Sequence, residues 1–229
     1  MKLKTPKMVL IDLDGTLVDS APDLAFCVDE TLKRLGLPPQ GLERVRDWVG
    51  NGVEKLMRRA LTGDINGEPE ATLLQRAMPV FLELYDNNIA ERSRLFPGVR
   101  EGMAGLKAQG IQLGCVTNKI ARFTEPLLKR LSVRDEFGVV VSGDTLAQKK
   151  PHPAPLLYAA RFFNVAPQES LMVGDSVHDV EAARAAGFQI ACVSYGYNHG
   201  EDIRAAHPDA VIDSLVELAE GLKQNRAVA

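Results

Sequence analysis

A chain of 229 residues, 45% hydrophobic and 25% charged, has an ordinary globular balance and is long enough for one large domain or two smaller ones. Its net charge of −3 provides no basic field, which excludes a general affinity for nucleic acid or an anionic membrane surface and leaves any anionic small molecule to be held by local groups. Cys27, Cys115 and Cys192 stand far apart with no CxxC or Cys/His spacing, so reduced core thiols are expected. The apolar run behind the basic opening is too short for a secretory signal and no later stretch would span a bilayer, so the expected location is the cytoplasm.

The first apolar run, Met8-Val9-Leu10-Ile11, predicts a buried strand, and Asp12-Leu13-Asp14-Gly15-Thr16 follows directly. Two carboxylates at the carboxyl end of a strand lie where open α/β sheets keep their ligand crevices. So close a pair calls for a cation or a shared proton, hence a bound metal plus one titrating acid. Taken alone, the pentapeptide also reads as an acidic turn with no chemistry. Gly15 lets the chain turn sharply, and the Thr16 hydroxyl could bond the turn backbone or a ligand oxygen.

Ser20 is placed to cap a helix with Pro22 in its first turn, Leu24, Cys27, Val28, Leu32 and Leu35 at helical spacing, and Gly36 as its stop. Residues 44–49, 53–61 and 70–90 read as further amphipathic helices, broken at Gly50-Asn51-Gly52 and at 63–69. Beyond Phe96-Pro97-Gly98, helices alternate with short apolar strands at 111–116, 139–142, 171–173, 189–193 and 210–212, the pattern of a parallel sheet. Residues 224–229 read as a frayed tail. The first strand therefore belongs to a doubly wound parallel sheet completed after residue 92. Residues 1–19 and 93–229 form that core, and residues 20–92 an all-helical lobe over the crevice, a natural lid.

Three more polar clusters fall at predicted strand ends: Thr117-Asn118, Lys150-Pro151, and Gly174-Asp175-Ser176-Val177-His178-Asp179. A doubly wound sheet gathers such residues on one rim, which assembles carboxylates, a hydroxyl, an amide and an ammonium around one crevice. That inventory fits phosphoryl transfer. A carboxylate can attack phosphorus in line while a neighbouring acid serves the leaving alkoxide and then water, so Asp12 and Asp14 can divide those roles. Mg²⁺ takes oxygen ligands, and Asp12, Asp175 and a backbone carbonyl would suffice. Lys150 and Thr117 would hold phosphoryl oxygens as charge shifts. Each cluster also has a plain structural reading, as a helix cap, a surface charge or a turn.

In order and spacing, Asp12-x-Asp14-Gly15-Thr16, Thr117-Asn118, Lys150 and Gly174-Asp175-Ser176-x-x-Asp179 resemble the four motifs of the haloacid dehalogenase-like hydrolases. The resemblance implies a Rossmann-like core beneath a helical cap. It implies Asp12 as nucleophile and metal ligand, Asp14 as general acid/base that offers its carbonyl to Mg²⁺, and Thr117 with Asn118 as phosphate binders. By the same resemblance Lys150 is a charge clamp, Asp175 a metal ligand and Asp179 a supporting acid. Asp19-Ser20-Ala21-Pro22-Asp23-Leu24, the stretch from Val49 through Leu56, and Lys150-Pro151-His152-Pro153 resemble the phosphoglycolate phosphatases more closely. A Gly50-Asn51-Gly52 turn opening a helix would point free N–H groups at a small carboxylate or phosphate, and Arg46 and Lys55 could reach a substrate carboxylate. The implied reaction is hydrolysis of 2-phosphoglycolate. Other readings are a phosphatase for sugar phosphates, amino-sugar phosphates or pyrophosphate, a phosphoglucomutase, and a catalytically silent phosphate-binding regulator. The absence of a glycine-rich loop after the first strand disfavours a dinucleotide site.

Overall fold

The computed structural model describes residues 3–228. From the amino end the chain forms β1 (Met8–Ile11), a two-residue strand β2 (Val18–Asp19), and the helices α1 (Ala21–Arg34), α2 (Leu42–Trp48), α3 (Val53–Thr62) and α4 (Ala71–Asn88). A second two-residue strand, β3 (Arg94–Leu95), leads to α5 (Val99–Lys107), β4 (Gln112–Val116), α6 (Ala121–Arg130), β5 (Val139–Val141) and α7 (Ala154–Phe163). The remainder comprises β6 (Ser170–Gly174), α8 (Val177–Ala186), β7 (Gln189–Val193), β8 (Ala210–Ile212) and α9 (Leu215–Val228).

Six strands pair in parallel in the order β5-β4-β1-β6-β7-β8, with Val9 opposite both Leu113 and Leu171. Successive side chains on a strand face opposite ways. Val9, Ile11, Leu113 and Val173 accordingly join Met103, Leu106, Leu218 and Leu222 of α5 and α9 on one side. Met8, Leu10, Met172 and Ile190 join Leu156, Ala159, Ala182 and Ala183 of α7 and α8 on the other. With both faces covered, the strands need unbroken apolar runs, which is what their sequences supply. The three cysteines are buried and unpaired.

Strand order reverses at β1. The chain moves outward through β4 to β5, returns to β6 on the opposite side of β1, and moves outward again through β7 and β8. The loops after β1 and β6 diverge at this switch point and open a crevice outside the strand ends.

Helix α1 packs against α2, α3 and α4, and α3 against α4, with Leu24, Val28, Val45, Leu56, Met57, Phe81 and Tyr85 buried. The chain enters and leaves these helices beside itself, because β2 and β3 pair antiparallel, Val18 opposite Leu95 and Asp19 opposite Arg94. The buried Asp23 carboxylate accepts from Arg92 N (2.8 Å), Ser93 N (3.0 Å) and Ser93 Oγ (2.5 Å), which fastens the return segment to the first turn of α1.

Two expectations are corrected. Ser20 begins α1 without a side-chain cap; Tyr197 Oη accepts from the N–H groups of Ser20 (2.9 Å) and Ala21 (3.1 Å) instead, which frees the serine hydroxyl. The tail expected to fray from residue 224 is helical through Val228, and Asn225 Nδ2 donates to Leu3 O at 2.8 Å. Met1, Lys2 and Ala229 lie outside the described residues. Among the described residues, no helix is long and apolar enough to cross a membrane.

Candidate active site

Asp12 continues β1 by one residue, its N–H donating to Val173 O at 2.9 Å, so the pairing with β6 fixes where its side chain emerges. Lys150 arrives from the loop after β5. Its Nζ lies 2.8 Å from Asp12 Oδ1 and donates to Asp179 Oδ1 (2.7 Å) and to Val116 O (2.8 Å). Three partners match the three donors of an ammonium, and its side chain is 3% exposed. A cation so deeply buried persists only because it is fully paired.

Asp179 answers a second demand as well. Its Oδ2 accepts from Ser176 Oγ (2.7 Å), Ser176 N (3.1 Å) and Asp175 N (3.3 Å), a capping box that opens α8. Both Asp179 oxygens are thus taken by protein donors, and it orients Lys150 and the Asp175 loop. Asp175 receives the Thr16 hydroxyl on Oδ1 (3.0 Å) and Tyr197 N on Oδ2 (2.8 Å). The Thr16 hydroxyl therefore serves neither the turn backbone nor an open ligand position. Glycine is required at two neighbouring positions. At Gly15, where φ is +87°, and at Gly196, any Cβ would collide with the Asp175 side chain.

Asp14 points to the other side of the same loop. Its carboxylate accepts from Ser20 Oγ (2.6 Å) and stands 3.1 Å from Lys119 Nζ at both oxygens. Lys119 is also 3% exposed, and its ammonium lies 4.9 Å from the centre of the Tyr85 ring in α4.

Carboxylate oxygens of Asp12, Asp175 and Asp179 come within 4.8 Å of one another. Burial pushes the Asp12 carboxyl up to about 7, with the charge of Asp179 adding to the rise and Lys150 opposing it. Burial also holds Asp175 well above its ordinary value, followed by repulsion from Asp12 and Asp179. Four carboxylates here face two ammonium groups, an excess of negative charge made of hard oxygen donors. A divalent cation fits that donor set and would relieve it.

A cavity of about 40 Å³ lies beside the cluster. The rim contributes Asp12, Asp14, Thr117, Asn118, Lys119 and Ile120; the helices contribute Leu24, Val49, Gly50, Gly52, Val53 and Leu56. The loop between α2 and α3 reaches the rim through single hydrogen bonds. Asn118 Nδ2 donates to Gly50 O (3.2 Å) and to Lys150 O (3.0 Å), and Lys149 Nζ donates to Asn51 O (3.1 Å). Asn51 Nδ2 meets His178 Nε2 at 3.1 Å, and His199 Nδ1 donates to Asp47 O at 2.7 Å.

The structure therefore brings Asp12, Asp14, Thr16, Thr117, Asn118, Lys150, Asp175 and Asp179 to one rim, with Gly50, Asn51 and Gly52 above it. Thr117 Oγ1 accepts from Lys119 N at 3.1 Å and lines the cavity. Arg46 and Lys55 are not among the lining residues. Arg46 pairs with Asp19 (3.7 Å) and Glu43 (3.3 Å), and Lys55 with Glu68 (3.2 Å). Sequence reasoning missed Lys119, although it directly follows Thr117-Asn118 at the end of β4. It also missed Gly196 and Tyr197, which follow β7 on the same rim and could have been found by extending the strand-end rule by one more strand.

A model of the family described as haloacid dehalogenase-like hydrolase matches residues 9–193. A phosphoglycolate phosphatase of Nitrosococcus oceani is 61% identical over 222 residues, covering 97% of this chain and 99% of that protein. One of Nitrosospira multiformis is 48% identical over 219 residues, covering 96% of each. A crystal structure described as a predicted phosphoglycolate phosphatase from Haemophilus somnus 129PT superposes with a TM-score of 0.88 at 35% identity, covering 93% of this chain and 96% of that one.

Proposed function

This chain belongs to the haloacid dehalogenase-like hydrolases, and on that premise we propose that it hydrolyses a phosphomonoester, 2-phosphoglycolate, to glycolate and phosphate in the cytoplasm. One observation carries the assignment of roles: two carboxylates two residues apart border one small cavity, Asp12 held by Lys150 and Asp14 by Ser20 and Lys119.

Asp12 attacks phosphorus in line. The bond to the ester oxygen breaks, an aspartyl-phosphate forms, and Asp14 gives a proton to the departing alkoxide. Asp14 then takes a proton from water as that oxygen attacks phosphorus, which releases phosphate and restores Asp12. The Thr117 hydroxyl holds a phosphoryl oxygen as charge moves onto it, Lys150 takes up phosphoryl charge as its contact with Asp12 is released by the attack, and Asn118 ties the Lys150 loop to Gly50. Asp12, Asp175 and the Asp14 carbonyl would hold Mg²⁺, which when bound neutralises charge on the phosphate and on the carboxylates.

Residues 20–92 act as a lid on a core of 1–19 and 93–229, excluding water while phosphorus is transferred. The cavity is small, about 40 Å³, and is bordered by Leu24, Val49, Val53 and Leu56 of the helical region, which supports a short leaving group. The decisive experiment compares kcat/KM for phosphate release from 2-phosphoglycolate, sugar phosphates, muramic acid 6-phosphate and pyrophosphate with Mg²⁺ present. The expected result is a preference for 2-phosphoglycolate of several orders, with Asp12→Asn reducing turnover by about 10⁴-fold or more. A flat profile would discard the substrate, and Asp12-independent release would discard the nucleophile.

A further inference from the structure

We propose that Lys119 is the carboxylate receptor of the site, the residue by which substrates carrying an acid group next to the phosphate ester are selected. The inference rests on the phosphoglycolate reading and adds a residue and a mode of selection to it.

Much of the cavity lining is apolar, formed by Leu24, Val49, Val53, Leu56 and Ile120. A carboxylate entering such a space loses its hydration and binds only if a cation or fixed donors replace the water. Among the described residues that line the cavity, Lys119 is the only cation. The two basic side chains nearest in sequence to the capping loop, Arg46 and Lys55, are committed to acids elsewhere.

Lys119 is also prepared for the task. Asp14 engages it at both oxygens, 3.1 Å each, so the ammonium borders the cavity directly beside the proton donor. The face of Tyr85, fully buried in α4, fixes the ammonium from behind.

Substrate chemistry then places the acid group. In 2-phosphoglycolate the carboxylate carbon is two bonds from the ester oxygen. If Asp14 protonates that oxygen, the carboxylate falls beside whatever cation touches Asp14, and that cation is Lys119. One ammonium therefore grips the substrate and the proton donor together. An ester without the acid leaves Lys119 wholly on Asp14.

The test uses 2-phosphoglycolate and 2-hydroxyethyl phosphate, which exchanges the carboxylate for an alcohol at equal length. Wild type, Lys119→Met, Lys119→Gln and Lys119→Arg are compared by the ratio of kcat/KM for the two esters, so that a general loss of active protein cancels. Expected is a fall in the ratio on the order of 10²-fold in Lys119→Met and Lys119→Gln, as for truncating one partner of a buried charge pair, with partial recovery in Lys119→Arg. Calorimetric titration of the two esters into Asp12→Asn, with and without Lys119→Gln, should lose affinity only for the acid. Equal losses on both esters, with the wild-type ratio kept, would overturn the receptor role and leave Lys119 as a positioning residue for Asp14. A wild-type ratio near one would overturn the phosphoglycolate reading, and the receptor with it.

Discussion

The rim of the sheet and the Gly50-Asn51-Gly52 loop meet at the same cavity but are held by opposite means. On the rim, buried charges are paired and each oxygen of Asp179 and each donor of Lys150 has a protein partner. The loop is held by isolated hydrogen bonds, from Asn118 and Lys149 to its carbonyls and from Asn51 to His178, and α2 beside it by one from His199 to Asp47 O. Buried ion pairs are costly to break, whereas a single neutral hydrogen bond contributes little net free energy. The paired rim is therefore the more rigid of the two, and the loop can shift above it without disturbing those pairs.

Lys150→Met gives that contrast its hardest test. It leaves Asp12 and Asp179 buried without their shared cation, and a loss of about 3–5 kcal/mol is expected from urea unfolding, together with near-complete loss of turnover. A cost below about 1 kcal/mol would mean that the rim is no more rigid than the loop. Gly196→Ala is next. Its methyl group collides with Asp175, so the cation concentration needed for half-maximal activity should rise about tenfold or more, the usual effect of disturbing a ligand's support.

The smallest change belongs to the loop. Asn51→Ala removes one hydrogen bond of about 0.5–1.5 kcal/mol, so KM should rise between about twofold and tenfold while kcat stays near wild type. Acid should act on the same contact. Burial, then repulsion from His199, lowers the His178 imidazole against the pull of Asp179. Its neutral form, able to accept from Asn51, is complete above the ordinary histidine value of about 6.5 and is lost as pH falls through the lowered one. A rise in KM at low pH that persists undiminished in Asn51→Ala would show that this contact does not govern binding.

Much of this molecule is legible in its sequence because parallel strands must be apolar on both faces. All six strands of the large sheet lie within a residue or two of their expected positions. The carboxylates and Lys150 were readable because strand ends converge. What was not readable depended on contacts without local pattern. Two-residue strands carry no periodicity, so β2 and β3 were invisible. Ser20 had the right identity and place for a cap, yet a phenol 177 residues away took the role. Lys119 looked like any charge at a helix start until folding buried it against Asp14 and Tyr85.

The pairing of β2 with β3 has a bearing on inheritance. Outgoing and returning chains cross the boundary side by side, paired at Val18–Leu95 and Asp19–Arg94 and locked by Asp23. Everything between them is attached to the catalytic sheet at what amounts to one point. Such an attachment lets the intervening helices lengthen, shorten or be exchanged for another element while the strand register beneath stays intact. Swapping the stretch between those two strands with that of a relative should therefore transfer substrate preference and leave the chemistry in place.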